Sequence, residues 1–547
     1  MEPRLSPGLR AQPGSAGADG GLALTADPPA ADSAPARRGP SAVARASLLL
    51  FLFFGLDKAL GLLRQVVIGR QFGISAELDA FNAANNLPDL LFALISGGAL
   101  SVALIPVLAA WFGTRGREDA WGLFSRVANW AFVITGSIAL VLAVFAGPLV
   151  RAELGVAPGF TPERQALVAD LMRLNLLATL LFSISGLVMA GLQSNRHFLL
   201  PAIAPAIYDL GQIFGALVLA PASPLHLGDL ALPAFGLGVH GLVYGVILGA
   251  ALHLGVQIPG LIRYRFQWTP RLGWNHPGLR QVARLMAPRI ATIGAFQLMF
   301  VVQDNLASRL EVGSVTALAY GWQIMQVPET LIATAIATAL LPTLAGQFAR
   351  GEGAEFGARV GRATRALAAI MLPLSLILMV TIRPLVQAAF DFDDRGTSLV
   401  VAAARAYLAG MAGHALLEVI ARAYYARQSP RWPLIASGLR AALFLALSLG
   451  LYRSAGALGI AAANSAAFTV EAVLLLVLLG RWVPGVSLDR ASLARAAAAM
   501  VAAGVASWAV TQFFPGSALI GAGLGMAAGG VAALVFIHRE VRELLHL

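Results

Sequence analysis

The 547-residue chain is 58% hydrophobic and 12% charged, with a mean hydropathy of +0.74. Two soluble domains of that length would need roughly 25% charged residues to cover their surfaces, so an ordinary soluble protein is excluded. With no cysteine, disulfides, thiol catalysis and thiolate metal sites are excluded too, and the net charge of +11 finds its explanation in membrane topology rather than in nucleic-acid binding.

Residues 1–43, with stretches such as ADSAPARRGP, are rich in Ala, Pro, Gly and Ser and are expected to form a disordered cytosolic tail. The first long apolar stretch begins only at Ala46, too late for a cleaved signal peptide, so no cleavage is expected. Apolar runs then follow near 44–69, 79–112, 122–150, 167–193, 198–221, 236–262, 282–310, 315–347, 364–390, 399–425, 433–452, 455–480, 491–513 and 517–537. Each is long enough to cross a bilayer as a helix. Strict apolar/polar alternation is missing, which argues against a barrel. The expectation is an all-α polytopic membrane protein of about fourteen transmembrane helices.

Arginine-bearing connections, at Arg115 and Arg117, Arg196, Arg263 to Arg280, Arg350 to Arg365, Arg422 to Arg431 and Arg481 to Arg495, all fall on one side of these runs. By the positive-inside rule that side is cytosolic, and the even count returns the C-terminus there beside the N-terminus.

A repeat runs through the first twelve helices. Gly73 and Pro88 in FGISAELDAFNAANNLPDLL are echoed by Gly313 and Pro328 in VGSVTALAYGWQIMQVPETL, Arg126 by Arg362, and Gln193-Ser194 by Gln428-Ser429, at offsets of 240, 236 and 235. Six helices per copy is even, so the copies share one orientation. The expected organisation is a tail (1–43), an N-lobe (44–265), a C-lobe (278–482) and a C-terminal helix pair (488–540). Two like-oriented six-helix lobes that rock about a shared interface suit alternating access, with a site between them.

Charge inside the membrane is the sharpest functional signal. The first helix carries Asp57, Lys58 and Arg64, and Lys58 is the chain's single lysine. A charge at the bilayer centre costs about 2.5–3.5 kcal/mol on insertion scales, so it implies a partner or a wet cavity. One reading has Asp57 and Lys58 neutralising each other while Arg64 snorkels; the other has them facing a cavity that receives an anion, which guanidinium grips bidentately. Arg289 and Asp304 in the seventh helix, Asp209 in the fifth, Glu329 after Pro328 and Glu418 in the tenth are further intramembrane charges, each a candidate site residue, a helix-end group or half of a structural ion pair. Asp79 could favour the N-terminus of the second helix. His253 and His414 read as packing or hydrogen-bonding residues. No phosphate-binding Gly-rich loop with its lysine is available, so no nucleotide, metal or other cofactor is expected, and the chain is not read as an enzyme.

The run GLLRQVVIGRQFGISAELDAFNAANNLPDLLFALISGGALSVALIPVL resembles the N-terminal signature of the MurJ (MviN) lipid II flippases, in the superfamily that also holds MATE exporters and polysaccharide flippases. That pattern is a helix with two basic residues, then FG, DAF, LPN, and GA with an IPVL-like end. AIATALLPTLAGQFARG in the eighth run extends the resemblance. It implies two six-helix lobes around a cationic cavity, with the last helix pair shaping a groove for the lipid tail. Carried over by position, Lys58 and Arg64 stand where the family has cavity arginines and Asp79 matches the family aspartate, giving Lys58, Arg64, Asp79 and Arg289 as substrate-binding candidates, and Asp57, Asp304 and Glu329 as coupling or structural charges. The chain departs from the pattern at Phe92-Ala93 and Gly97, where the family shows an Arg-Arg pair and a glutamate, and at Trp322-Gln323, where it shows Asp-Arg.

The resemblance implies flipping of an undecaprenyl-pyrophosphate-linked peptidoglycan precursor from the cytosolic to the outer leaflet of the bacterial cytoplasmic membrane. Membrane potential or a monovalent cation is the candidate driving force. The expected partners are the anionic lipid-linked substrate, membrane lipids and cell-wall synthesis proteins, with no nucleic acid. A related glycolipid or drug exporter and a non-transporting membrane scaffold are the alternatives.

Overall fold

Proline and glycine interrupt the apolar runs without ending them. In the computed structural model, which describes residues 42–97, 99–227, 230–486, 489–514 and 517–545, each of the fourteen runs coincides with a helix or a broken helix. We number these spans in chain order. α1 is Ala42–Phe72, α2 is Ala76–Phe92 resuming at Ala99–Thr114, α3 is Arg117–Val144 and α4 is Pro162–Ser194. α5 is Leu199–Phe214 with its continuation Gly215–Leu219, α6 is Val239–Gly255 with Ile258–Arg263, and α7 is Pro277–Ala307. α8 is Ser314–Glu329 continuing through Thr330–Thr334 to Ala335–Ala349, α9 is Gly353–Phe390, and α10 is Asp394–Ala409 with Met411–Ala426, bent by 44°. α11 and α12 are the two arms of Arg431–Trp482, broken at Gly456 with φ 59° and ψ −142°, a conformation open to glycine because it lacks Cβ. α13 is Arg490–Gln512 and α14 is Ala518–Leu545.

Helices are the form these runs must take, because a bilayer offers nothing else to bond backbone N–H and C=O groups. Their outer faces carry what a soluble protein would bury: Leu140, Val144, Val501, Trp508, Val531 and Val535 are exposed. One short antiparallel hairpin, Leu225–Leu227 with Leu230–Leu232, lies in the α5–α6 connection. Of the two compact units, Met1–Ser47 and Leu48–Leu547, the first is described only from residue 42, so the expected tail lies outside the described residues.

Two packing features position the site. α5 and α6 meet backbone to backbone, since a Cβ on Gly211 would sit 2.4 Å from Gly249 Cα and one on Gly215 would sit 2.6 Å from Gly245 Cα. Small residues at a helix crossing permit this approach, and the van der Waals contact it creates drives helix association in lipid. α2 and α8 each contain a proline, Pro88 and Pro328, followed shortly by a π turn, Ala93–Gly97 and Thr330–Thr334. Proline removes a ladder hydrogen bond, and the π turn is a common accommodation at functional positions. The C-terminal pair α13–α14 packs on itself and against α9.

Candidate functional site

The asparagine-rich face of α2 opens onto a cavity of about 760 Å³ bounded by α1, α2, α4, α5, α6, α7 and α8. Asn82, Asn85, Asn86 and Asp89 recur at helical spacing along that face and all line it. Amides from other spans complete a polar wall, including Gln65, Gln212, Gln297 and Gln323. Asn175 donates to Asn85 Oδ1 at 2.6 Å, leaving its own Oδ1 without a partner among the described residues, as is Gln212 Nε2. Tyr208, Tyr320, Phe182, Phe300 and Trp322 supply aromatic surface.

Arg64 is the one Lys or Arg among the described lining residues. Its Nη1 donates to Asp209 Oδ1 at 2.7 Å, from α1 to α5, and Asp209 is nearly buried. Lys58 does not line the cavity: it is 61% exposed and lies 3.5 Å from Asp57. The neutralising Asp57–Lys58 contact weighed from sequence is therefore present, while Arg64 is directed inward rather than to a helix end.

Asp79 lies outside the cavity as well. It is buried, and its carboxylate accepts from Gly313 N at 2.6 Å, Thr316 N at 2.8 Å and Thr316 Oγ1 at 2.7 Å. It thus caps α8 from α2, where the free N–H groups and the helix dipole favour an anion; the sequence had suggested the start of its own helix, which Ser75 caps instead. Asp304 does line the cavity and accepts from Asn86 Nδ2 at 2.6 Å. Glu329 is buried at the α8 π turn, its carboxylate accepting from Thr330 and Thr334 hydroxyls, away from the cavity. Glu418 pairs with Arg422 within α10. The Arg289 side chain lies outside the described residues.

His253 accepts or donates to Ser185 Oγ at 2.6 Å, and His414 stacks on Phe468 with centroids 3.8 Å apart. Where the family pattern is basic or acidic, this chain lines its cavity with Phe92, Trp322 and Gln323. Sequence reasoning passed over Asp89. The signal was available, because the chain reads LPD where the family pattern has LPN; Asp89 faces the cavity and is exposed there.

Hydrogen bonds joining the first and second halves gather at the Gly73 and Gly313 end of the spans. Besides the Asp79 cap, Arg70 donates to Ala388 O and Ala389 O, Asn305 to Glu153 O and Gly155 O, Gly159 N to Ser308 Oγ, and Arg309 pairs with Glu153. These ties hold the two halves together at that end. It is opposite to the arginine-bearing connections.

A family model described as "Lipid II flippase MurJ" matches residues 68–534. The lipid II flippase MurJ of Burkholderia cenocepacia is 29% identical over 403 residues, covering 71% of this chain and 74% of that protein. Among solved structures, a lipid II flippase MurJ in an inward closed conformation superposes with a TM-score of 0.75 at 20% identity, covering 90% of this chain and all of the other. An inward-facing multidrug resistance MATE family transporter of the MOP superfamily gives a TM-score of 0.65 at 14% identity, over 79% of this chain and 97% of that one.

Proposed function

This chain belongs to the lipid II flippase MurJ family, and from that membership we propose that it carries an undecaprenyl-pyrophosphate-linked peptidoglycan precursor across the bacterial cytoplasmic membrane. The observation that carries the reading is a guanidinium, Arg64, set in a cavity between spans of both halves whose wall is otherwise mainly amide and aromatic, with Asp89 and Asp304 as its acids. Guanidinium binds phosphate oxygens through paired N–H groups, and the amides suit sugar and peptide groups. The chain's residues bind and release; no bond in the cargo is made or broken.

The arginine-bearing connections face the cytosol in this reading, with both termini on that side. The ties at the Gly313 end then close the outer face, so the cavity receives cargo from the cytosolic leaflet. Movement of one half against the other breaks those ties and opens the cavity outward. The α13–α14 pair beside α9 offers the surface for the prenyl tail. Membrane potential supplies the drive, about 2.3 kcal/mol per charge per 100 mV, unless a monovalent cation does so; flipping in vesicles that persists after the potential is dissipated would exclude the first.

Growth of a bacterium depleted of its own lipid II flippase and supplied with this chain tests the function. Rescue by the wild type and by Lys58→Arg, with loss on Arg64→Ala at equal membrane abundance, is the expected result. Rescue by Arg64→Ala to the wild-type level would remove Arg64 from the site.

A further inference from the structure

The cavity's charge is opposite to what an anionic cargo requires. Among its described lining residues Arg64 is the single Lys or Arg against Asp89 and Asp304, and the guanidinium is already held by a third carboxylate, Asp209. A pyrophosphate entering beside three carboxylates meets like-charge repulsion, strengthened by the reduced dielectric of a protein cavity. One guanidinium does not offset that while it remains paired. The Asp209 contact is also partial: of the five N–H donors of Arg64, one hydrogen bond is made to a described residue.

The face of α1 that meets Asp209 has a definite pattern. Lys58, Gly61 and Arg64 are spaced three residues apart, so they form a diagonal row that winds about 120° around the helix from Arg64 at the cavity to Lys58 outside it. Asp209 lies against the middle of that row, its Oδ2 3.5 Å from where a Cβ on Gly61 would be. Arg64, Asp57 and Lys58 are the charged groups that act on it. Lys58 is free to take a new partner, since it is exposed and its contact with Asp57 is 3.5 Å long.

We infer that Asp209 is an internal counter-anion that the cargo displaces: a phosphate takes Arg64, and the released carboxylate passes along the Gly61 gap to Lys58. The inference rests on the pyrophosphate reading of the Arg64 cavity. It gives Lys58 a role away from the cargo, as a positioning residue that holds Asp209 in the loaded state, and makes Gly61 the opening through which the carboxylate moves. The empty carrier keeps its one cavity guanidinium neutralised, and an anion that cannot outcompete a carboxylate is refused.

Inorganic pyrophosphate binding to the full-length purified protein, read by calorimetry, provides the test with a double-mutant cycle. Asp209→Asn keeps shape and removes the competing charge, so affinity should rise on the order of tenfold, about 1.4 kcal/mol. Lys58→Gln should weaken binding in the wild type and leave it unchanged in the Asp209→Asn background, because no carboxylate then needs a second partner. Equal loss from Lys58→Gln in both backgrounds would make Lys58 a direct phosphate contact and overturn the hand-off. Unchanged or weaker binding by Asp209→Asn, with Arg64→Ala still abolishing it, would also overturn the hand-off while the pyrophosphate site stands. Binding by Arg64→Ala equal to wild type would overturn the site itself. Asp209→Ser serves as the second variant should Asp209→Asn be unstable, with the same sign expected.

Discussion

Asp79 on α2 and Thr316 on α8 are joined twice, through the Thr316 amide at 2.8 Å and its hydroxyl at 2.7 Å, with the adjacent Gly313 amide making a third bond at 2.6 Å. An acid near the start of one helix therefore serves the start of another, 237 residues later in the chain. Bonds to a charged group contribute about 1.5–3 kcal/mol each, and they exist only while α2 and α8 touch. Asp79→Ala should shift the protein away from the closed state by several kcal/mol. The chain's lack of cysteine allows clean labelling, so spin labels at Glu77→Cys and Glu311→Cys, both exposed positions, should report a longer distance in the variant. An unchanged distance distribution would show that Asp79 does not hold this end closed.

The exposed Arg309–Glu153 pair, 2.7 Å apart, joins the α3–α4 connection to the end of α7. As a surface ion pair it is worth less than about 1 kcal/mol, so its removal alone should leave rescue of growth intact. Glu153→Cys with Arg309→Cys should form a disulfide under oxidation, stop transport, and recover on reduction. Continued flipping by the oxidised, cross-linked protein would rule out separation of these segments during the cycle.

Lys58 offers a chemical reporter, because the only other amine is the N-terminus. Its exposure should allow slow labelling by a membrane-permeant amine reagent in the empty carrier. A pyrophosphate that sends Asp209 to Lys58 engages the Lys58 amine in an ion pair and shields it from the reagent. Labelling at Lys58, read by mass spectrometry, should slow on adding inorganic pyrophosphate, and the slowing should vanish in Asp209→Asn. Equal protection in both proteins would instead place the phosphate directly on Lys58.

Gln323 lines the cavity where the family pattern has an arginine. Gln323→Arg adds a second cation to a space with an excess of carboxylates. Inorganic pyrophosphate should bind on the order of tenfold more tightly, since an added charge pair at an effective dielectric of 20 contributes a few kcal/mol before desolvation is subtracted. A calorimetric Kd equal to wild type would show that position 323 does not reach the anion.

At the α5–α6 crossing, a Cβ on Gly249 would meet Tyr208 O at 2.6 Å and one on Gly211 would meet Gly249 N at 2.5 Å, both backbone atoms that cannot rotate away. Gly211→Val should cost at least about 1–3 kcal/mol, the usual range for overpacking. The thermal midpoint of the purified variant should fall, and it should fall further than for Gly255→Val, where nothing lies within 4 Å.

The number, length and chain order of the spans were written in the sequence, because a bilayer forces every apolar run of about 20 residues to satisfy its own backbone as a helix. Membrane-buried charge, the FG–DAF signature and the departures at Phe92, Trp322 and Gln323 were equally legible, as local patterns of residue type. Facing and partnership were decided by tertiary structure alone. Arg64 and Lys58 lie six residues apart on one helix, yet the first lines the cavity and the second does not, since that depends on where α5 places Asp209 and how closely the glycines let α5 approach α6. Asp79 looked like a local cap and proved to be a cap for α8. A side chain's identity fixes what bonds it can make, but which partner comes within 3 Å is set by the packing of helices hundreds of residues apart in sequence.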